Sequence, residues 1–196
     1  MPINFGTDGW RAVISDTFTF ENVRLVSQAI ADYVRQGSDR ERPEVVVGFD
    51  TRFLSDRYAR EVARVMAGNG IVAHLTRADA PTPAVSYAVV EKKAEAGVMI
   101  TASHNPPRYN GIKLKAAFGG SALPEQARQV ELQLERGQAE ARGPNLMDFE
   151  QALKLGLVRP FDPAWAYYQH LSTLLNLDLI SKAELRVVAD AMYGSG

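Results

Sequence analysis

A serine, a histidine, two asparagines and two lysines fall together in Thr101–Lys115, TASHNPPRYNGIKLK. Ser103 is the candidate nucleophile or phosphoryl acceptor, and a serine in either role needs a neighbouring base or a prior modification. His104 is adjacent in sequence, so in extended backbone it points to the opposite face. The glycines of a nucleophile elbow are missing as well, and a Ser-His-Asp hydrolase is disfavoured. His74 and His170 fall on an expected strand and helix and read as structural or exposed. Phosphorylation is the other route: a phosphoserine carries about −1.5 to −2 charges and strong acceptor oxygens. Lys113, Lys115, Arg11 and Arg52 are the candidate cations. Each alone is what an ordinary solvated surface charge looks like, but several at strand ends or glycine turns point to a shared anion site. Magnesium would suit such chemistry, since phosphoryl transfer is mostly positioning and charge neutralisation. Asp8, Asp50 and Asp56 nevertheless show no ligand-type spacing and are explained as turn or capping residues.

The elements around this stretch explain how it is presented. Gly97–Ile100 is a short apolar run with the character of a buried strand, so Ser103 sits where a strand stops. Asn105-Pro106-Pro107 and Asn110-Gly111 are expected to turn the chain. In Gly111–Lys115 the alternation puts Ile112 and Leu114 on one face and both lysines on the other. Upstream, Phe5–Arg11 brackets Thr7-Asp8 between glycines and leads into an edge strand at Ala12–Ile14. Thr19 is the expected cap of a helix with Val23, Val26, Ile30, Tyr33 and Val34 inward. Glu44–Asp50, EVVVGFD, reads as a strand covered on both faces and ends in Asp50-Thr51-Arg52. Ser55 or Asp56 is expected to cap the next helix, which Gly68-Asn69-Gly70 stops. A strand at Ile71–Leu75 and a helix capped by Thr82 with Pro83 at its first position, running to about Ala94, complete the pattern.

Strand, helix, strand, helix, strand with short connections predicts an α/β fold: a mixed, mainly parallel sheet with helices on both faces. Ligands gather at the carboxyl ends of such strands, so Asp50–Arg52 and Ser103 should face one crevice. Further on, Pro124–Arg136 reads as a helix with Ala127, Val130 and Leu134 inward and Gly137 as its stop, then Ala139–Asn145 as surface connection. Residues 1–150 are read as a first domain and 151–196 as connection and the start of a second, similar domain. In that second part Asp162 caps a helix with Pro163 at its first position, Trp165, Tyr168, Leu171, Leu174 and Leu175 give its apolar side, and Leu185–Ala189 reads as a strand. The ending Asp190–Gly196 looks like an interruption, so its apolar residues are expected to be mobile, docked on the first domain or buried in self-association.

Composition bounds the function classes. Hydrophobic residues make up 46% and charged residues 23% of the 196, ordinary globular values. A net charge of −1 without a basic tract argues against nucleic-acid binding. The absence of cysteine excludes disulfides and thiolate metal sites. No apolar run approaches the roughly 20 residues of a membrane span, and the opening residues lack the apolar core of a signal peptide, so a cytoplasmic protein without a membrane partner is expected.

TASHNPPRYNGIKLK strongly resembles the phosphoserine loop of the α-D-phosphohexomutases, and FGTDGWRA resembles their N-terminal signature in its bacterial phosphoglucomutase/phosphomannomutase form. GFDTR and VVADAMYGSG extend the resemblance along the chain. It implies four domains around a cleft and interconversion of hexose 1-phosphate and hexose 6-phosphate through a phosphoserine and a hexose 1,6-bisphosphate. It implies Ser103 as phosphoryl carrier, Lys113 as general acid/base, and Arg11 and His104 as aids to the phosphoryl group. Thr7, Arg52, Asn105 and Asn110 are implied to support the loop or its charge. The implied cofactors are Mg2+, held here through the Ser103 phosphoryl group with its other ligands beyond Gly196, and glucose 1,6-bisphosphate as activator. The implied partner is a hexose phosphate. The metal loop, sugar loop and fourth domain of the family find no match, so a truncated chain with little activity of its own is expected. A phosphoglucosamine mutase and a non-catalytic α/β module are the alternatives; Trp10 speaks against the former, where isoleucine is usual.

Overall fold

The computed structural model describes Ile3 and Gly9–Ser195. Thr7 and Asp8, with the rest of the expected N-terminal turn before Gly9, lie outside the described residues, as does Gly196.

In chain order the elements are β1 (Trp10–Val13), α1 (Phe20–Gly37), β2 (Glu44–Phe49), α2 (Ser55–Gly68), β3 (Val72–Thr76), α3 (Thr82–Glu91) and β4 (Ala96–Ile100). They continue with β5 (Tyr109–Ala116), α4 (Pro124–Ala139), α5 (Phe149–Lys154), β6 (Val158–Phe161), α6 (Ala164–Leu174) and α7 (Leu177–Ser181). The strands form one sheet in the order β1-β5-β4-β2-β3-β6. β4, β2, β3 and β6 run parallel, while β5 is antiparallel to both β4 and β1. The expected mixed, mainly parallel sheet is present.

β2 shows why a run of valines belongs at the centre. Val45 and Val47 enter the larger core with α1, α2 and α4, whereas Val46 enters a second cluster with Val85, Ala88 and Val89 of α3. Successive side chains of a strand point to opposite faces, so a strand covered twice must be apolar throughout. In the larger core Trp10, Phe18 and Tyr58 pack in series with ring centroids 4.8 Å apart at each step, the first pair tilted and the second edge to face. The buried Tyr58 hydroxyl donates to the Phe18 carbonyl at 3.1 Å, and burial pushes its pKa up.

Thr19 caps α1 as expected, accepting from the Asn22 amide at 3.2 Å. Other boundaries differ for local reasons. Neither Ser55 nor Asp56 caps α2: Leu54 holds that position with φ +62°, and the Ser55 hydroxyl turns back to Asp50. Pro81, not Thr82, precedes α3, and Pro83 sits one place further in, where the first-turn amides need no helical partner. α3 ends at Glu91 instead of Ala94, because Lys93 takes φ +52°. Gly137 does not stop α4, which runs on to Ala139 across the Arg136–Glu140 pair at 2.8 Å. Asn110-Gly111 is no turn; it lies inside β5. There a side chain on Gly111 would meet the Thr101 and Trp10 carbonyls at 2.7 Å, so the glycine permits close backbone approach.

The stretch after residue 150 departs most. Val158–Phe161 adds β6 to the same sheet, pairing with Ala73–Thr76, so the sheet does not close before that segment. Pro163 occupies the cap position of α6, though the Asp162 carboxylate still accepts from the Ala164 amide at 2.9 Å. No residue of α6 is buried. Leu185–Ala189 forms no strand: among the described residues no neighbouring strand pairs with it, and Val188 is 98% exposed. Among the described residues no helix is long and apolar enough to cross a membrane.

Glu61 locks α2 to α1 and to the connection before α5. It accepts from Arg24 and, at 2.8 Å, from Arg64, which itself donates to the Met147 carbonyl at 3.1 Å. Burial pushes its carboxyl up, but the hydrogen bonds and charges of Arg24 and Arg64 outweigh this and hold the pKa below the ordinary value. The stabilisation is therefore full above the unfolded carboxyl pKa of about 4.3 and is lost as pH falls through the lower folded value. Glu61→Ala should cost about 2 kcal/mol at pH 7 in urea unfolding, and its deficit against the parent should shrink on acidification below about pH 4.

Candidate active site

The carboxyl ends of the adjacent strands β2 and β4 open into a cleft of about 490 Å³. Asp50, Thr51 and Arg52 line it from the β2 end, and Thr101, Ser103 and Asn105 from the β4 end. Thr82 of α3 and the turn Met192–Ser195 supply the other sides. The crevice expected from strand order is thus present.

Within it the loop after β4 is held mainly by one side chain. The Arg52 guanidinium donates to the carbonyls of Ser103 and Asn105 at 2.6 Å each, of Pro106 at 3.0 Å and of Tyr109 at 3.1 Å. Asp50 fixes the arginine in turn. Its carboxylate lies 3.5 Å from Arg52 Nε and accepts from the Arg52 amide and the Ser55 hydroxyl, both at 3.0 Å. Ser55 then accepts from Asn110 Nδ2 at 2.9 Å, and Asn110 Oδ1 accepts from the Gly111 amide at 2.9 Å. Asn110 is fully buried, so it anchors the far end of the loop and does not face a ligand. Arg52 is likewise spent on loop carbonyls: it supports the loop's shape and is not a loose cation at the cleft.

Ser103 itself is exposed, with φ +52°, a conformation a serine adopts only under constraint. Its amide donates to Thr101 Oγ1 at 3.0 Å, and among the described residues no hydrogen bond reaches its own hydroxyl. His104 is exposed beside it, and no hydrogen bond joins the two side chains. With no base bonded to it among the described residues, this serine lacks the machinery of a hydrolase but suits phosphorylation.

Arg11 donates to Asn105 Oδ1 at 2.9 Å, which ties the edge strand β1 to the serine loop. Lys113 pairs in register with Met99, a residue that lines the cleft. The alternation within β5 holds: Ile112 and Leu114 enter the larger core, and the lysines lie on the α3 side, with Lys115 Cβ packed where Gly97 has no side chain. Both lysines are buried, because that face is covered too. Thr7 lies outside the described residues. Trp10 is 3% exposed and belongs to the core, so its identity reports packing more directly than substrate.

Asp50, the carboxylate at the cleft, is committed to Arg52 and Ser55. Among the described residues no group of three or more His, Asp or Glu side chains could hold a metal ion. The described residues do not by themselves make up a magnesium site.

Sequence reasoning missed the parts played by Ser55 and the Met192–Ser195 turn. It put Thr51 at the crevice within Asp50–Arg52 but gave it no role of its own. Ser55 had a simpler reading as a cap, and the turn looked like the start of something else.

Residues 2–141 match the profile of a family described as phosphoglucomutase/phosphomannomutase, alpha/beta/alpha domain I. The chain belongs to this family. A phosphoglucomutase of Staphylococcus saprophyticus is 42% identical over 134 residues, covering 65% of this chain and 23% of that protein. A Pyrococcus horikoshii protein assigned as a phosphoglucosamine mutase is 33% identical over 192 residues, covering 98% of this chain and 38% of that one. A crystal structure of a Thermus thermophilus protein assigned as a phosphomannomutase superposes with a TM-score of 0.77 at 37% identity, covering 92% of this chain and 38% of that one. The chain thus spans well under half the length of these mutases, and the helices on both faces of its sheet fit the family's alpha/beta/alpha description.

Removing the guanidinium should release the serine loop. Arg52→Ala should lower stability by about 2 kcal/mol, since four carbonyls lose a charged donor. It should also speed hydrogen exchange across 103–110 more than in β4. Arg52→Lys, whose ammonium lacks the planar fork, should recover only part of both.

Proposed function

We propose that this chain is the phosphoryl-carrying part of a phosphohexomutase that interconverts hexose 1-phosphate and hexose 6-phosphate. The observation that carries the reading is an exposed serine whose hydroxyl has no hydrogen-bonded base among the described residues, constrained to φ +52° on an arginine-clamped loop beside a cleft of hexose-phosphate size. In the forward half-reaction a sugar hydroxyl oxygen forms a bond to phosphorus as the bond from phosphorus to Ser103 Oγ breaks. The hydroxyl proton passes by way of Lys113 to the departing Ser103 Oγ. The resulting hexose 1,6-bisphosphate turns over in the cleft and returns its other phosphoryl group to Ser103, whose own hydroxyl proton goes back by way of Lys113 to the departing sugar oxygen.

Arg11, already oriented by Asn105, and His104 assist the phosphoryl group; Arg52, Asn105 and Asn110 keep its loop in shape. Magnesium would meet the phosphoryl oxygen on Ser103 with its remaining ligands supplied from outside this chain, and a hexose 1,6-bisphosphate primes the serine. Which hexose is preferred, glucose, mannose or glucosamine, is the finer question. The Pyrococcus horikoshii relative keeps the glucosamine reading open, since its similarity runs along 98% of this chain.

Exposure to glucose 1,6-bisphosphate should add one phosphoryl group to the chain by intact mass, and Ser103→Ala should abolish the gain. A chain that never gains the group would be a binding or structural module. By itself the 196-residue chain should turn over glucose 1-phosphate far more slowly than its longer relatives in a coupled assay.

A further inference from the structure

The turn formed by residues 190–195 is the part of the cleft that the reading above leaves without a role. It comes to the serine loop from far along the chain, and a hydrogen bond attaches it there: Thr51 Oγ1, at the end of β2, donates to the Tyr193 carbonyl at 3.1 Å. Its backbone is locally determined. The Met192 amide donates to Asp190 Oδ1 at 2.9 Å and the Gly194 amide to the Ala191 carbonyl at 2.7 Å. Met192 and Tyr193 both take left-handed backbone, φ +47° and +60°. Two consecutive non-glycine residues in that region are strained and persist only where the surroundings dictate them. Meanwhile Tyr193 is 99% exposed and Met192 81% exposed, although both line the cleft that holds Ser103. An aromatic ring with no ring partner among the described residues, at the rim of a sugar-sized cleft, offers the apolar C–H face of a hexose a stacking surface.

We infer that the Asp190–Ser195 turn, latched by Thr51, is the wall that orients the hexose of the substrate against Ser103, with Tyr193 as its stacking surface and Thr51 as a positioning residue. The inference rests on the phosphohexomutase reading. It adds a sugar-facing element to a loop that handles phosphate. Thr51 does not touch the reacting atoms; its hydroxyl fixes how far the turn stands from the serine.

Two measurements on the full 196-residue chain test it. The first is the ratio of Ser103 labelling rates with glucose 1,6-bisphosphate and with acetyl phosphate, a donor without a sugar. In both reactions the bond from phosphorus to Ser103 Oγ forms as the donor's P–O bond breaks; the serine proton passes by way of Lys113 to the departing sugar oxygen in the first, and to solvent in the second, where acetate leaves as its anion. Thr51→Val should lower the ratio about tenfold, the worth of one hydrogen bond, and Thr51→Ser should restore it. The second is hydrogen exchange with and without glucose 1,6-bisphosphate. Slowed exchange in both 101–110 and 190–195, with the latter lost in Thr51→Val, would support the inference. Protection confined to 101–110, or a ratio indifferent to Thr51→Val, would overturn it while leaving Ser103 as the carrier. Failure of Ser103 to label from either donor would instead defeat the functional reading, and the inference with it.

Discussion

Everything at the cleft depends on one guanidinium. Arg52 satisfies four carbonyls of a loop that has few internal hydrogen bonds, and Asp50 holds the arginine from behind. Hydrogen bonds from a charged donor are worth about 1.5–3 kcal/mol each, so four of them from one fork hold residues 103–109 in the course that brings those oxygens to it, although much of the loop is exposed. Only an arginine presents several donors in a fixed plane. The serine is presented at the cleft as a by-product of satisfying the backbone around it. Ser55 and Asn110 extend the same logic to the helix start and to β5, so the sheet, α2 and the loop share one polar network at the strand ends.

Much of this was legible beforehand. A continuous valine run can be covered on both faces and little else, which made β2 and its parallel neighbours readable from Glu44–Phe49 alone. Strand order then brought Asp50–Arg52 beside Ser103 without any side-chain detail. What could not be read were matters of competition between neighbours. Ser55 is a good helix cap by type, yet Asp50 offered its hydroxyl a charged acceptor, and Leu54 took the strained position instead. Asn110-Gly111 is a turn pair by type, yet the backbones of Thr101 and Trp10 left no room for a side chain at Gly111, and the pair became the centre of a strand. Val158–Phe161 carries a proline and two turn neighbours, which hid a strand whose existence depends on β3 being there to receive it.

The two lysines of β5 show the same limit in another form. Alternation placed them on the face opposite Ile112 and Leu114, which is where they are, but sequence could not say that α3 covers that face. A pair that looked like solvated charge is instead enclosed, on the side of the sheet from which Met99 meets the cleft. Trp10 moved the other way, from a marker of substrate class to a member of the Trp10–Phe18–Tyr58 aromatic cluster.

β6 carries a consequence for handling this protein. It occupies the outer side of β3, and without it the ladder groups of Ala73–Thr76 would form a bare parallel edge, flanked by buried residues, open to any strand that could add to it. With it, the outermost strand contains Pro160, which has no amide to offer, and Arg159, more than half of whose side chain faces water beside Glu44. A chain cut at residue 150, between the matched family segment and β6, would keep every residue of the serine loop and still be prone to stack edge to edge in solution. The segment that looked like connection is the sheet's protection against its own kind.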